Sequence, residues 1–142
     1  MKRLSSKIKK QLKDAGVQAL YLFGSRAQGL NTERSDYDFA IFLNDPIILK
    51  NSEGTLYDKL YVLLGSITKP ETLEADVIDI VYLDSSHVSL ELKSFIIRTG
   101  KLLLDGNPHA RASKESDIML KTADFAPLRK LMSNALMERP TV

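Results

Sequence analysis

The chain is 142 residues long and 44% hydrophobic, with 20 Lys and Arg against 18 Asp and Glu, and it contains no cysteine. That length suits one domain burying about two thirds of its unfolded surface; the missing cysteines exclude disulfides and thiolate metal sites, and a net charge of +2 is too small to expect direct binding of nucleic acid. No apolar run approaches a membrane span and no signal-peptide core follows Met1–Lys7, so a cytoplasmic protein is expected.

Leu4, Ile8, Leu12 and Ala15 recur at helical spacing, with Ser5 or Ser6 as a cap and Gly16 as a stop. The basic residues Lys2, Arg3, Lys7, Lys9, Lys10 and Lys13 all precede the first acid, Asp14, and read as the solvated face of this helix rather than as an anion funnel. A strand over Val17–Phe23 ends at Gly24, and a second apolar run, Phe39–Leu43, ends at Asn44-Asp45-Pro46, where proline has no N–H to give a neighbouring strand. A loop follows. Leu56, Leu60, Leu63, Leu64 and Ile67 then line one helical face between a Ser52 cap and Lys69-Pro70. On that helix Tyr57 and Tyr61, one turn apart, read as packing residues rather than a base-stacking pair.

The third apolar run is Val77–Leu83. After it, Asp84-Ser85-Ser86 is expected to cap a helix carrying Val88, Leu92, Phe95 and Ile96 and stopping at Gly100, and Lys101–Asp105 reads as a last strand. The two histidines, His87 and His109, lack a second ligand at metal spacing and read as cap or surface residues. From Ala110 a polar helical segment runs to Pro127, which kinks or restarts it. Beyond Pro127, Leu128, Leu131, Met132, Ala135 and Leu136 form a helical stripe. Two readings of that stripe stand: a helix folded back on the domain, or a surface for a partner.

The chemistry concentrates between the first two strands. Gly24-Ser25-Arg26-Ala27-Gln28-Gly29 begins where the buried strand stops, and Ser25 to Gln28 read as the first turn of a short helix whose N–H groups suit a phosphate chain, with Arg26 adding a fixed charge. Asp36 and Asp38 stand two apart at the start of the second strand, hence on one face. Paired carboxylates beside a phosphate-binding turn suit two hard divalent cations that share oxygen ligands with the substrate. Asp79, in the middle of the third run, is expected to be buried and so to need a cation or a basic partner. Asp76 competes with it, but at odd spacing it points to the other face. Arg34 is a further basic candidate for the phosphates.

Gly24-Ser25, ten residues, then Asp36-x-Asp38 resembles the signature of nucleotidyltransferases related to DNA polymerase beta. With Gly-Ser-Arg-Ala-Gln-Gly in the turn, the chain looks most like the minimal nucleotidyltransferases, the antitoxins of HEPN/MNT toxin–antitoxin pairs, over roughly residues 17 to 105. The resemblance implies an α/β (α+β) nucleotidyltransferase fold: a small mixed β-sheet, expected here to have helices packed on one face, in residues 1–106, with residues 107–142 as a C-terminal helical extension of the same domain. It implies Asp36, Asp38 and Asp79 as catalytic ligands of two Mg²⁺ ions, with Gly24, Ser25 and Arg26 holding the phosphates of ATP. It further implies transfer of AMP to a tyrosine hydroxyl of a HEPN-domain ribonuclease toxin, in a hetero-oligomer with it. Two alternatives remain open: an antitoxin that binds and occludes without catalysis, and an adenylyltransferase acting on a small hydroxylated molecule such as an aminoglycoside.

Overall fold

A computed structural model of the chain describes residues 3–32, 35–68, 78–123, 135–137 and 141. Helix α1 (Ser6–Asp14) is capped by Ser5, whose Oγ accepts the Ile8 N–H at 3.2 Å. It stops at Gly16, whose φ of +94° is the left-handed geometry that glycine adopts without a Cβ penalty.

The chain then enters the sheet through β1 (Val17–Phe23). This strand runs antiparallel to both β2 (Tyr37–Leu43) and β4 (Lys101–Asp105), while β2 is parallel to β3 (Ile78–Tyr82), giving a mixed sheet in the order β3-β2-β1-β4. Every residue of β1 is buried, as are all of β2 except Asp38. Continuous apolar runs of this kind belong to strands covered on both sides. Leu20, Leu22, Phe39 and Ile41 pack into one core with α1 and α3 (Glu53–Thr68). Ala19, Tyr21, Ala40 and Phe42 face a second core shared with α4 (Leu90–Thr99) and α5 (Pro108–Ala123). The mixed sheet is as expected, but helices cover both of its faces rather than one. The uninterrupted apolar runs carry that information, since a sheet with one bare face would alternate.

Two local expectations change. A short helix, α2 (Ile48–Asn51), stands in the expected loop. Helix α4 starts later than anticipated, with Ser89 as its cap accepting the Leu92 N–H at 3.1 Å. Asp84 is instead a tie between elements: its carboxylate accepts the Leu43 N–H at 2.6 Å and pairs with Lys114 of α5 at 2.9 Å. Tyr57 and Tyr61 stack at 6.2 Å against the first core, the packing role expected of them.

Helix α5 reads as polar in sequence yet buries two of its charges. Arg111 and Glu115, both 0% exposed, are one turn apart and paired at 3.4 Å; Arg111 Nε lies 3.1 Å from Asp105, and Tyr21 donates its hydroxyl to Glu115. Arg111 Nη1 also donates to the Leu136 carbonyl at 2.7 Å, and the Leu136 side chain packs on the second core. That member of the C-terminal stripe folds back on the domain; Pro127, Leu128, Leu131 and Met132 lie outside the described residues. Among the described residues no helix is long and apolar enough to cross a membrane.

Candidate active site

The site begins at the last residue of β1. Gly24 follows Phe23 with φ +78°, and a Cβ on it would lie 2.5 Å from Asp38 Oδ2. Both the backbone conformation and the carboxylate therefore require glycine. The expected short helix is a single turn, closed by Gln28 N–H to Gly24 C=O at 3.2 Å and Leu30 N–H to Ser25 C=O at 2.9 Å. Among the described residues the N–H groups of Ser25, Arg26 and Ala27 meet no hydrogen-bond partner, so this turn keeps donors for an anion.

Arg26 acts largely inward. Its Nε donates to Ser35 C=O at 3.0 Å, Nη1 to the Tyr37 hydroxyl at 3.1 Å and Nη2 to Thr32 C=O at 3.3 Å, while its guanidinium carbon stands 3.9 Å over the Tyr37 ring. Three donors spent on Thr32, Ser35 and Tyr37 make Arg26 a clamp on the residues that flank Asp36; each Nη retains one further N–H. Sequence reasoning missed this role. Its signal was Ser35-Asp36-Tyr37-Asp38, in which an aromatic ring sits between the two acids where an arginine can stack on it.

Parallel pairing sets Asp38 directly opposite Asp79, each the second residue of its strand. Asp38 is half-buried, whereas Asp36 and Asp79 are exposed. Burial, then the charges of Asp79 and Asp36, then a hydrogen bond with Asp79 push the Asp38 carboxyl above its ordinary range. Asp79 lies beside Asp38 on the neighbouring strand but is not buried as expected, since among the described residues β3 is an edge strand. Asp76 and Arg34 lie outside the described residues.

These oxygens suit a hard divalent cation. Asp38 and Asp79 stand opposite each other in register, and among the described residues no basic side chain pairs with either. Asp36 is not drawn in with them: among the described residues no three His, Asp or Glu side chains close around one point. The histidines stay outside it, His87 in the turn before α4 and His109 in the first turn of α5.

A family model described as polymerase beta, nucleotidyltransferase, matches residues 6–109. The chain belongs to the polymerase beta nucleotidyltransferase family. A relative of this nucleotidyltransferase, a protein adenylyltransferase MntA from Aphanizomenon flos-aquae, is 34% identical over 117 residues, covering 80% of this chain and 74% of the relative. Among solved structures, one of a toxin–antitoxin with AMP-PNP is similar at 25% identity and a TM-score of 0.57, covering 92% of this chain and 96% of the other. Another, a tyrosine-to-alanine variant of an MntA–HpeT toxin–antitoxin, matches at 25% identity and a TM-score of 0.55 over 95% of this chain and 99% of the other.

Proposed function

We propose that this nucleotidyltransferase moves AMP from ATP to a tyrosine hydroxyl of a HEPN-domain toxin and so silences it. The observation that carries the reading is the pairing of Asp38 with Asp79 against Gly24, beside a turn with unspent N–H donors. The relatives named as an adenylyltransferase and as toxin–antitoxin assemblies, one with an ATP analogue, support the donor and the partner. Residues 1–106 would form the catalytic part and residues 107–142 its helical extension.

In this reading the turn at Gly24, Ser25 and Arg26 holds the β- and γ-phosphates through backbone N–H groups, and the Arg26 clamp keeps the loop in place while the nucleotide binds. Asp36, Asp38 and Asp79 would hold two Mg²⁺ ions. When bound, those ions supply charge neutralisation at the transferring phosphate and acidify the attacking hydroxyl. The tyrosine oxygen forms a bond to the α-phosphorus, the bond from that phosphorus to the bridging oxygen of the β-phosphate breaks, and pyrophosphate leaves. Asp79, exposed on the open side of the pair, accepts the hydroxyl proton. Catalysis is then chiefly in-line positioning and electrostatic stabilisation.

The test is the intact mass of a HEPN-domain partner after incubation with this protein, ATP and Mg²⁺, beside an Asp36→Ala, Asp38→Ala double variant whose fold is checked by circular dichroism. The expected result is a gain of one or more AMP units that the variant loses by at least about 100-fold in rate. A stable complex with no gain in mass would replace this reading with neutralisation by occlusion.

A further inference from the structure

We infer that the outer edge of β3 and the groove beside it form a docking site for an extended segment of the protein acceptor. The inference rests on the reading of this enzyme as a protein adenylyltransferase and names where its substrate binds.

The groove starts next to the acidic cluster, since Ile80, Val81 and Tyr82 line it directly after Asp79. Its other wall comes from Ile47, Lys50, Glu53 and Tyr57 and from the turn before α4, through to Leu92. At about 1150 Å³ it exceeds the roughly 300–1,000 Å³ of clefts that hold small molecules, which suits a stretch of polypeptide.

Three observations point to that occupant. First, β3 is an edge strand among the described residues. Leu83 N–H bonds to Ile41 C=O inside the sheet, so the alternation of a parallel ladder turns the N–H groups of Ile80 and Tyr82 and the C=O of Ile80 outward. Those groups have no backbone partner among the described residues, and an added strand is the element that pairs such an edge. Secondly, Tyr82 is 6% exposed yet its hydroxyl has no hydrogen-bond partner among the described residues, although it lines the groove. Burial, followed by the charges of Glu53 and Tyr57, pushes that hydroxyl up to about 12, so it stays a donor, the complement of a peptide carbonyl. Thirdly, two large apolar side chains that line the groove remain in solvent: Ile47 at 57% and Leu92 at 36%. A strand laid between them would bury both and lead its next residues to Asp79.

The test uses the full-length enzyme and a HEPN-domain protein as the probe. Binding is measured by calorimetry, separately from AMP transfer, for an Ile47→Asp, Leu92→Asp double variant and for Tyr82→Phe. The double variant is expected to weaken binding at least tenfold and to raise the KM for the protein acceptor, with the KM for ATP and kcat unchanged. Tyr82→Phe removes a hydroxyl with no partner among the described residues, so its melting temperature holds while acceptor binding weakens about two- to tenfold. Amide exchange at Ile80 and Tyr82 should be fast in the free enzyme and slow in the complex. Unchanged affinity in both variants would overturn the docking site. So would slow exchange in the free enzyme, which would mean that this chain covers its own edge, or protection that grows with enzyme concentration alone, which would mean that a second copy does. If the wild type binds but transfers no AMP, the reaction reading fails while the binding data still decide the groove.

Discussion

Two groups of carboxylates stand toward opposite ends of β1, and they are handled in opposite ways. Asp38 pairs in register with Phe23 and gathers charge from Asp36 and Asp79, all acids and, among the described residues, without a basic partner. Asp105 pairs in register with Ala19, and around it Arg111, Glu115 and Tyr21 form a closed set in which one guanidinium meets both carboxylates. Burial works against the Arg111 charge, but the contact with Asp105 and the charges of Glu115 and Asp105 hold it on and raise its pKa. The difference separates a charge cluster neutralised within the fold from one that is not. Where a protein supplies the counter-charge the acids hold elements together; where it withholds it, the cation has to come from outside.

The sharpest way to break the comparison is to remove the counter-charge from the closed set. Arg111→Ala takes the guanidinium away from the buried Glu115 and from Asp105 and is expected to cost about 3–5 kcal/mol of stability, read by urea unfolding. Protein that remains folded at low temperature should bind ATP as the wild type does, because the cluster lies away from the nucleotide turn. A loss under about 1 kcal/mol would show that water already reaches this network and that its charges are screened.

The acidic end was far more legible in the sequence than the buried cluster. Gly24 was readable because a glycine directly after an apolar run marks a turn, whereas the shared strand face expected of Asp36 and Asp38 does not form, because the strand begins at Tyr37 and Asp36 stands before it. Val17–Phe23 and Lys101–Asp105 were readable to the residue as strands. Asp79 stands opposite Asp38, but it is exposed where burial was expected: sequence shows an acid inside an apolar run but not whether that run is central or at an edge. Arg111 and Glu115 were invisible, since an i, i+4 ion pair looks the same on a solvated helix as on a buried one. Likewise the sequence shows Arg26 beside a phosphate-binding turn but not that the backbone brings Ser35 and Tyr37 under it.

Gly24 and Gly29 sharpen the comparison at the acidic end. Both have positive φ, +78° and +73°, so an alanine at either carries a similar backbone strain of about 1–3 kcal/mol. Only at Gly24 does the added Cβ strike a carboxylate; at Gly29 it meets nothing within 4 Å. Gly24→Ala is therefore expected to lower AMP transfer by about 100-fold or more by displacing Asp38, whereas Gly29→Ala loses stability alone. Equal activity losses in the two variants would assign the effect to strain in the turn and not to the position of Asp38.

The smallest expected effect is a gain. The folded protein holds the Asp38 proton more tightly than the unfolded chain, whose carboxyl keeps the ordinary value of 3.8. The stability that this group contributes is thus complete below 3.8 and is lost as pH rises through the higher folded value, leaving an ionised Asp38 facing Asp79 and Asp36 at neutral pH. Asp38→Asn removes that repulsion. In metal-free buffer at about pH 7 the variant should melt at or above the wild-type temperature, and the two curves should converge as the pH is lowered toward the carboxylate range. Millimolar Mg²⁺ should raise the wild-type melting temperature and move the variant less, because the cation supplies the counter-charge that the mutation makes unnecessary. A variant less stable than wild type at neutral pH without metal would mean that Asp38 is held by donors within the protein, and the acidic end would then resemble the closed cluster around Arg111.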